Sequence, residues 1–252
     1  MPRIPVRNDQ GTIIHVDGID GSGKSTLLNA ARAWTDTRGL RVFDVVAWSH
    51  DTHRPPTIDE IGDADALFTC EPTQSWIGRA IRDELIKTGS AYTAQFIAHA
   101  YAHDRAIQIQ RVIRPFLAAR PGRFVFQDRG FVSSLAYQTL QSERNNDPEP
   151  ITVEWLLSLD GNRIAAETAP DIFVFLDLDP GIAMERLAGR TEKNDDAIFE
   201  HREFQHLLAA RYRDPRVTDA LLRRGVRIHT IDGAGTRENV ARQMTEILAS
   251  LD

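Results

Sequence analysis

Nine consecutive residues, Gly18-Ile19-Asp20-Gly21-Ser22-Gly23-Lys24-Ser25-Thr26, have the types and spacing to hold a string of phosphates. They fit G-x-x-x-x-G-K-[ST] and directly follow the apolar run 12–16, the strand-then-loop context that this pattern requires. Glycines at 18, 21 and 23 let the backbone curl so that its N–H groups converge on phosphate oxygens at a helix start. Gly18, Asp20, Gly21, Ser22, Gly23, Lys24, Ser25 and Thr26 are therefore the expected cradle for a nucleoside triphosphate. Lys24 is expected to reach the β- and γ-phosphates and Ser25 to hold Mg²⁺.

A phosphate cradle alone leaves GTPases, ATPases, motor domains and small-molecule kinases open. Asp128-Arg129 follows the run 124–127, and Ser133-Ser134-Leu135-Ala136-Tyr137-Gln138 comes next. An acid and a base at a strand's C-terminal end lie in the crevice where open α/β sheets bind ligands. Glu71-Pro72-Thr73 closes another run, and Gly78-Arg79-Ala80-Ile81-Arg82 follows on a helix. Tyr101 and Arg105 stand one helical turn apart, so a ring and a guanidinium share one face and could take a base and a phosphate together. Phosphoryl transfer asks mainly for such alignment and positive charge, with little covalent work by the protein.

These residues need a scaffold that brings distant loops together. Strand-like runs at 12–16, 41–47, 66–69, 124–127, 172–177 and 226–231 alternate with helical patterns at 24–37, 75–87, 93–117, 132–141, 152–159, 180–187, 198–213 and 236–251. Alternation of this kind predicts crossover units feeding a parallel sheet, an α/β fold. Pro115 is expected to stop or kink the third helix. Stretches 48–65 and 142–150, rich in Asp, Asn, His, Pro and Thr, read as surface loops. With 252 residues and no Pro/Gly/Ser-rich linker, the chain reads as one domain.

A formal net charge of −6 speaks against a nucleic-acid binder, which needs a basic face. Cys70 is the only cysteine, so no internal disulfide forms and a reducing, cytoplasmic setting is expected. No run approaches the length of a membrane span, and residues 1–10 lead into no apolar leader segment. His99 and His103 have metal-ligand spacing but no third ligand, so no zinc site is expected.

With these motifs in place, the chain resembles the thymidylate kinase family, whose members phosphorylate dTMP to dTDP. The resemblance rests on residues 18–26, Glu71-Pro72-Thr73 with Ile81-Arg82, the segment from Tyr101 to Arg105, Val112-Ile113-Arg114-Pro115, and above all Asp128-Arg129 with residues 133–138. It implies a three-layer α/β/α fold with a five-stranded parallel sheet and a helical lid near 187–197. It also implies that Tyr101 lies against the acceptor base, Arg105 and Arg129 hold the acceptor phosphate, and Asp20 lies near the sugar hydroxyl and the metal. Tyr137 would crowd the ribose 2′ position, and Glu71, Asp128 and Ser134 would line the acceptor site. Because the phosphate loop carries no arginine, Arg186 and Arg190 of the lid become the expected donors to the triphosphate. Family members are commonly homodimers, and a deoxynucleoside monophosphate is the expected small-molecule partner.

The pattern departs from the family at several points. Cys70 stands where Arg or Lys is usual, removing one expected phosphate contact. Gly130 replaces a common aromatic residue, and Ile107 replaces a frequent Gln. The lid has Asp196-Ala197 in place of an Asp-Arg pair, and 48–65 reads as an insertion next to the acceptor side. Two alternatives stay open on these residues: a kinase for another deoxynucleoside monophosphate, and a nucleotide-binding regulator without catalysis.

Overall fold

The computed structural model describes residues 11–145, 147–189 and 202–251. Apolar runs form six strands: β1 (Thr12–Asp17), β2 (Val42–Asp44), β3 (Ala66–Cys70), β4 (Phe124–Asp128), β5 (Ile172–Asp177) and β6 (Arg227–Asp232). All neighbours pair in parallel, in the order β2-β3-β4-β1-β5-β6. Central strands bury both faces, so their residues alternate between two cores. Ile13, Leu67, Val125 and Phe173 face one core. Ile14, Phe68, Phe126 and Val174 face the other, where Leu27 and Trp34 of the helix Lys24–Thr37 pack. Phe131 and Leu135 of the helix Phe131–Asn145 fill the first core. The chain therefore leaves adjacent strands β1 and β4 toward opposite faces, which opens a crevice at their C-terminal ends.

The sheet has six strands, one more than the resemblance implies. The run 41–47 is strand only at Val42–Asp44. Asp44 then accepts a hydrogen bond from the Ala47 N–H at 3.0 Å and starts the helix Val45–Thr52. A second short helix, Ile58–Ile61, opens on a capping box between Thr57 and Glu60. Residues 48–65 are thus half helical, at 48–52 and 58–61, and irregular elsewhere, and they form a crossover that lays β2 parallel to β3. The Trp76 N–H donates to the His53 carbonyl at 3.4 Å, so this stretch abuts the helix Trp76–Ala80.

Residues 142–145 also belong to a helix, not to a loop. The long helix at Pro115 neither stops nor breaks. Ala94–Gln108 widens into a π turn at Ile109–Ile113 and resumes as Arg114–Ala119, with Pro115 at the start of the last piece, where a missing N–H does least harm. Helices Asp160–Glu167 and Pro215–Leu222 were not expected from the sequence. Of the expected lid, residues 187–189 end the helix Pro180–Ala188 and its turn, while the rest, including Arg190, lies outside the described residues. Among the described residues, no helix is long and apolar enough to cross a membrane.

Candidate active site

The loop after β1 turns through three glycines with positive φ: Gly18 at 152°, Gly21 at 77° and Gly23 at 108°. At Gly21 a Cβ would lie 2.4 Å from the Ala183 carbonyl oxygen, so only glycine fits. Gly23 then opens the helix Lys24–Thr37 without a side-chain cap, which leaves that helix's first N–H groups to the crevice. Lys24 Nζ donates to the carbonyls of Gly18 at 3.2 Å and Ile19 at 3.1 Å, and stands 3.9 Å from Asp20. Burial, together with the nearby Arg129, lowers the Lys24 pKa.

Beside this loop lies a knot of charge. Arg129, just past β4, pairs with Asp20 and Asp17 and donates to the Gly18 carbonyl at 3.1 Å. Asp17 is fully buried and also accepts from Ser133 at 2.8 Å and from the Tyr212 hydroxyl at 2.7 Å. Burial raises the Asp17 pKa despite Arg129. Burial also pushes Asp20 upward, but Arg129 and Lys24 outweigh it and hold that carboxyl at about 2. The Tyr137 hydroxyl donates to Asp20 at 3.2 Å, and Gln205 accepts from the Asp20 N–H at 3.3 Å.

Farther along the crevice, Glu71 at the end of β3 holds Arg105. Nε donates to Glu71 Oε2 at 2.8 Å, and Nη2 lies 2.6 Å from the same oxygen. Nη2 also donates to Ser134 Oγ at 2.8 Å, and Nη1 to Asn162 Oδ1. Gln127 braces both arginine sites from below, donating to Glu71 at 3.1 Å and to the Arg129 carbonyl at 3.0 Å. Asp104 fixes the 71–73 turn by accepting from the Thr73 N–H and hydroxyl, each at 2.7 Å.

One cavity of about 440 Å³ joins the two ends. Asp20, Gly21, Gly23, Lys24, Ser25, Glu71, Tyr101, Arg105, Asp128, Arg129, Ser134 and Tyr137 all line it, as the sequence motifs suggest. Gly18, Ser22 and Thr26 do not line it. Arg186 also stands apart, its guanidinium on the carbonyls of Ser22 at 3.4 Å and Gly233 at 3.0 Å.

Three further lining residues have no site role in the sequence motifs: Gln138, Arg82 and Cys70. Gln138 is 1% exposed and its Oε1 has no hydrogen-bond partner. Arg82 donates to the Pro72 and Thr73 carbonyls and to Cys70 Sγ, not to a carboxylate. Cys70 is the third, and burial pushes its thiol up to about 12. Asn162, Gln205 and Tyr212 gave no local signal, because their partners are 57, 185 and 195 residues away.

The donor set fits a hard divalent cation only if phosphate oxygens complete it. Asp128 Oδ1 is buried with no partner among the described residues, and it lines the same cavity as the exposed Ser25. Among the described residues no group of three or more His, Cys, Asp or Glu could hold a metal alone. Mg²⁺ is commonly bound in this shared way, through one or two protein oxygens and substrate phosphates.

A phosphate loop after the central strand, an arginine loop after its neighbour and a cavity spanning both define a P-loop nucleotide kinase. The thymidylate kinase family model matches residues 57–243. A probable thymidylate kinase of Thermococcus onnurineus is 32% identical over 220 residues, covering 82% of this chain and 89% of the relative. One from Thermococcus kodakarensis is 33% identical and covers 74% and 77%. One from Halorubrum lacusprofundi is 31% identical and covers 95% and 98%, phosphate loop included. The chain belongs to the thymidylate kinase family.

Proposed function

We propose that this chain transfers the γ-phosphoryl group of ATP to the 5′-phosphate of dTMP, giving ADP and dTDP by direct in-line displacement. The observation that carries this reading is the single cavity that runs from Lys24 to Arg105 past Arg129. Lys24 and the N–H groups at the start of its helix bind the donor phosphates. Ser25, with Asp128 and Asp20 nearby, would hold Mg²⁺, which when bound neutralises charge on the β- and γ-phosphate oxygens. The family resemblance adds Arg186, whose guanidinium rests on the Ser22 carbonyl of the phosphate loop, and Arg190 as further donors to the triphosphate.

Arg129 is bonded to the phosphate loop itself, so it is the arginine that can hold the attacking phosphate in line with the donor. Arg82, with no carboxylate among its hydrogen-bond partners in the described residues, adds positive charge to the same wall. No general base is needed, because the acceptor phosphate is already an anion.

Arg105 suits another task than the phosphate contact expected from the sequence. Its charge is matched by Glu71, and none of its partners lies in the phosphate loop. Its remaining N–H and the Gln138 amide offer donors and an acceptor to the carbonyl and N–H edge of thymine, with Tyr101 against the ring. Tyr137, held on Asp20, crowds the sugar and favours a deoxyribose.

ADP formation from ATP and Mg²⁺, with dTMP, dUMP, dCMP, dGMP, dAMP and UMP offered singly, tests the assignment. dTMP is expected to be the best acceptor. Lys24→Ala should lower turnover by at least roughly 10²–10³-fold while leaving the fold intact by circular dichroism. A stronger response to another monophosphate, or a Lys24→Ala enzyme that still turns over, would sink the reading.

A further inference from the structure

Arg105 has five N–H groups. Nε and one Nη2 N–H face Glu71, the other Nη2 N–H goes to Ser134, and one Nη1 N–H goes to Asn162. A single Nη1 N–H remains for a ligand. Asn162, together with Glu71 and Ser134, therefore fixes where that last donor points.

The direction of the Asn162 amide is itself set. Its Nδ2 donates to the Leu156 carbonyl at 2.8 Å, so Oδ1 must face Arg105. The side chain is 0% exposed. Its neighbour Gly161 brings the helix Asp160–Glu167 against Ala94–Gln108, since a Cβ at 161 would lie 1.8 Å from the Ala102 carbonyl oxygen. A helix with no residue in the cavity thus reaches the acceptor end through one amide.

We infer that Asn162 is a positioning residue for acceptor recognition: it aims the last free N–H of Arg105 and so sets the preference for a pyrimidine with a 4-carbonyl over one with a 4-amino group. The inference rests on the proposed reading of Arg105 against the base. A 4-carbonyl accepts from that N–H, whereas a 4-amino group meets it donor to donor. Without the Asn162 oxygen, Nη1 keeps two unsatisfied N–H groups in a buried place, and the guanidinium turns about its Glu71 contact.

Steady-state kinetics with dTMP and dCMP at saturating ATP and Mg²⁺ test this on the full chain. Asn162→Leu is expected to raise the KM for dTMP by about tenfold or more and to reduce the dTMP-to-dCMP ratio of kcat/KM similarly, the size expected for orphaning a buried donor. The KM for ATP should stay within about twofold, since no donor-side contact changes. Asn162→Asp keeps an oxygen facing Arg105 but sets the other against the Leu156 carbonyl, so it should lower stability while recovering the dTMP-to-dCMP ratio lost in Asn162→Leu. Ile164→Ala, on the same helix but away from Arg105, should lower stability without moving the ratio. If Asn162→Leu does not fold, Asn162→Ser, too short to reach Nη1, is read the same way.

A wild-type protein that fails to phosphorylate dTMP overturns the proposed function and this inference together. An active wild type with an unchanged KM and ratio in the Asn162 variants overturns the inference alone. So does a ratio that moves equally in Ile164→Ala.

Discussion

At Gly130 a Cβ would sit 2.6 Å from His15 Nδ1 and 2.8 Å from Cε1, with the ring held in the interior of β1. The departure from the aromatic residue common in the family at this position is therefore matched by a residue 115 positions earlier. Gly130→Ala should cost about 1–3 kcal/mol, the usual range for overpacking, and most of that cost should vanish in a His15→Ala background. Urea titrations of the four proteins measure the coupling, and additive losses would mean that the two residues do not compete for space. Asp20 carries a different prediction. Held at about 2, it stays ionised through any ordinary assay, and its stabilisation is present above the unfolded value of 3.8 and lost as pH falls toward 2. The acid limb of kcat/KM for the acceptor should instead follow the substrate's own second phosphate ionisation, near roughly pH 6. Asp20→Asn should lower the rate without moving that limb. A limb that shifts with the substitution would assign the titration to Asp20.

Elements that the sequence left hidden share a cause. Asp160-Gly161-Asn162 has turn chemistry, since all three residues favour turns in isolation. In the fold Gly161 permits close approach to Ala102 and Asn162 serves Arg105, so tertiary contact overrides local preference. Val45-Val46-Ala47 reads as strand by its branched side chains, yet the Asp44 carboxylate caps the Ala47 N–H and turns the chain into a helix. By contrast, residues 18–26 need only local backbone geometry, and the helix Lys24–Thr37 has the bounds read from the sequence. The acceptor end is assembled from β3, β4, the helix Ala94–Gln108 and Asp160–Glu167, and only the residues within motifs could be found in advance. Gly161→Ala tests the element directly. Pushing this helix off Ala94–Gln108 should lower stability by about 1–3 kcal/mol or more. It should also raise the acceptor KM while sparing that for ATP. A destabilised enzyme with an unaltered acceptor KM would separate the packing of this helix from the acceptor site.

On the scale of the whole molecule, two ligand ends share one cavity but rest on different supports. The phosphate loop leads into the helix Lys24–Thr37, which packs in one core, while Arg105 sits on the helix Ala94–Gln108, whose Ala94 and Ala98 pack in the other. Each ligand that binds only the folded state stabilises it by mass action, about 2.7 kcal/mol at a hundredfold excess over Kd. For a chain of this size that corresponds to a Tm rise of roughly 5–10 °C. ATP with Mg²⁺ and dTMP, given separately to the wild type, should each raise the Tm by about this amount. In Lys24→Ala the rise from ATP should largely disappear and that from dTMP should persist, because Arg105, Glu71 and Gln138 do not depend on Lys24. Loss of both responses in Lys24→Ala would show that the loop and the acceptor end fold as one cooperative unit, with the Asp17–Asp20–Arg129 knot as the coupling between them.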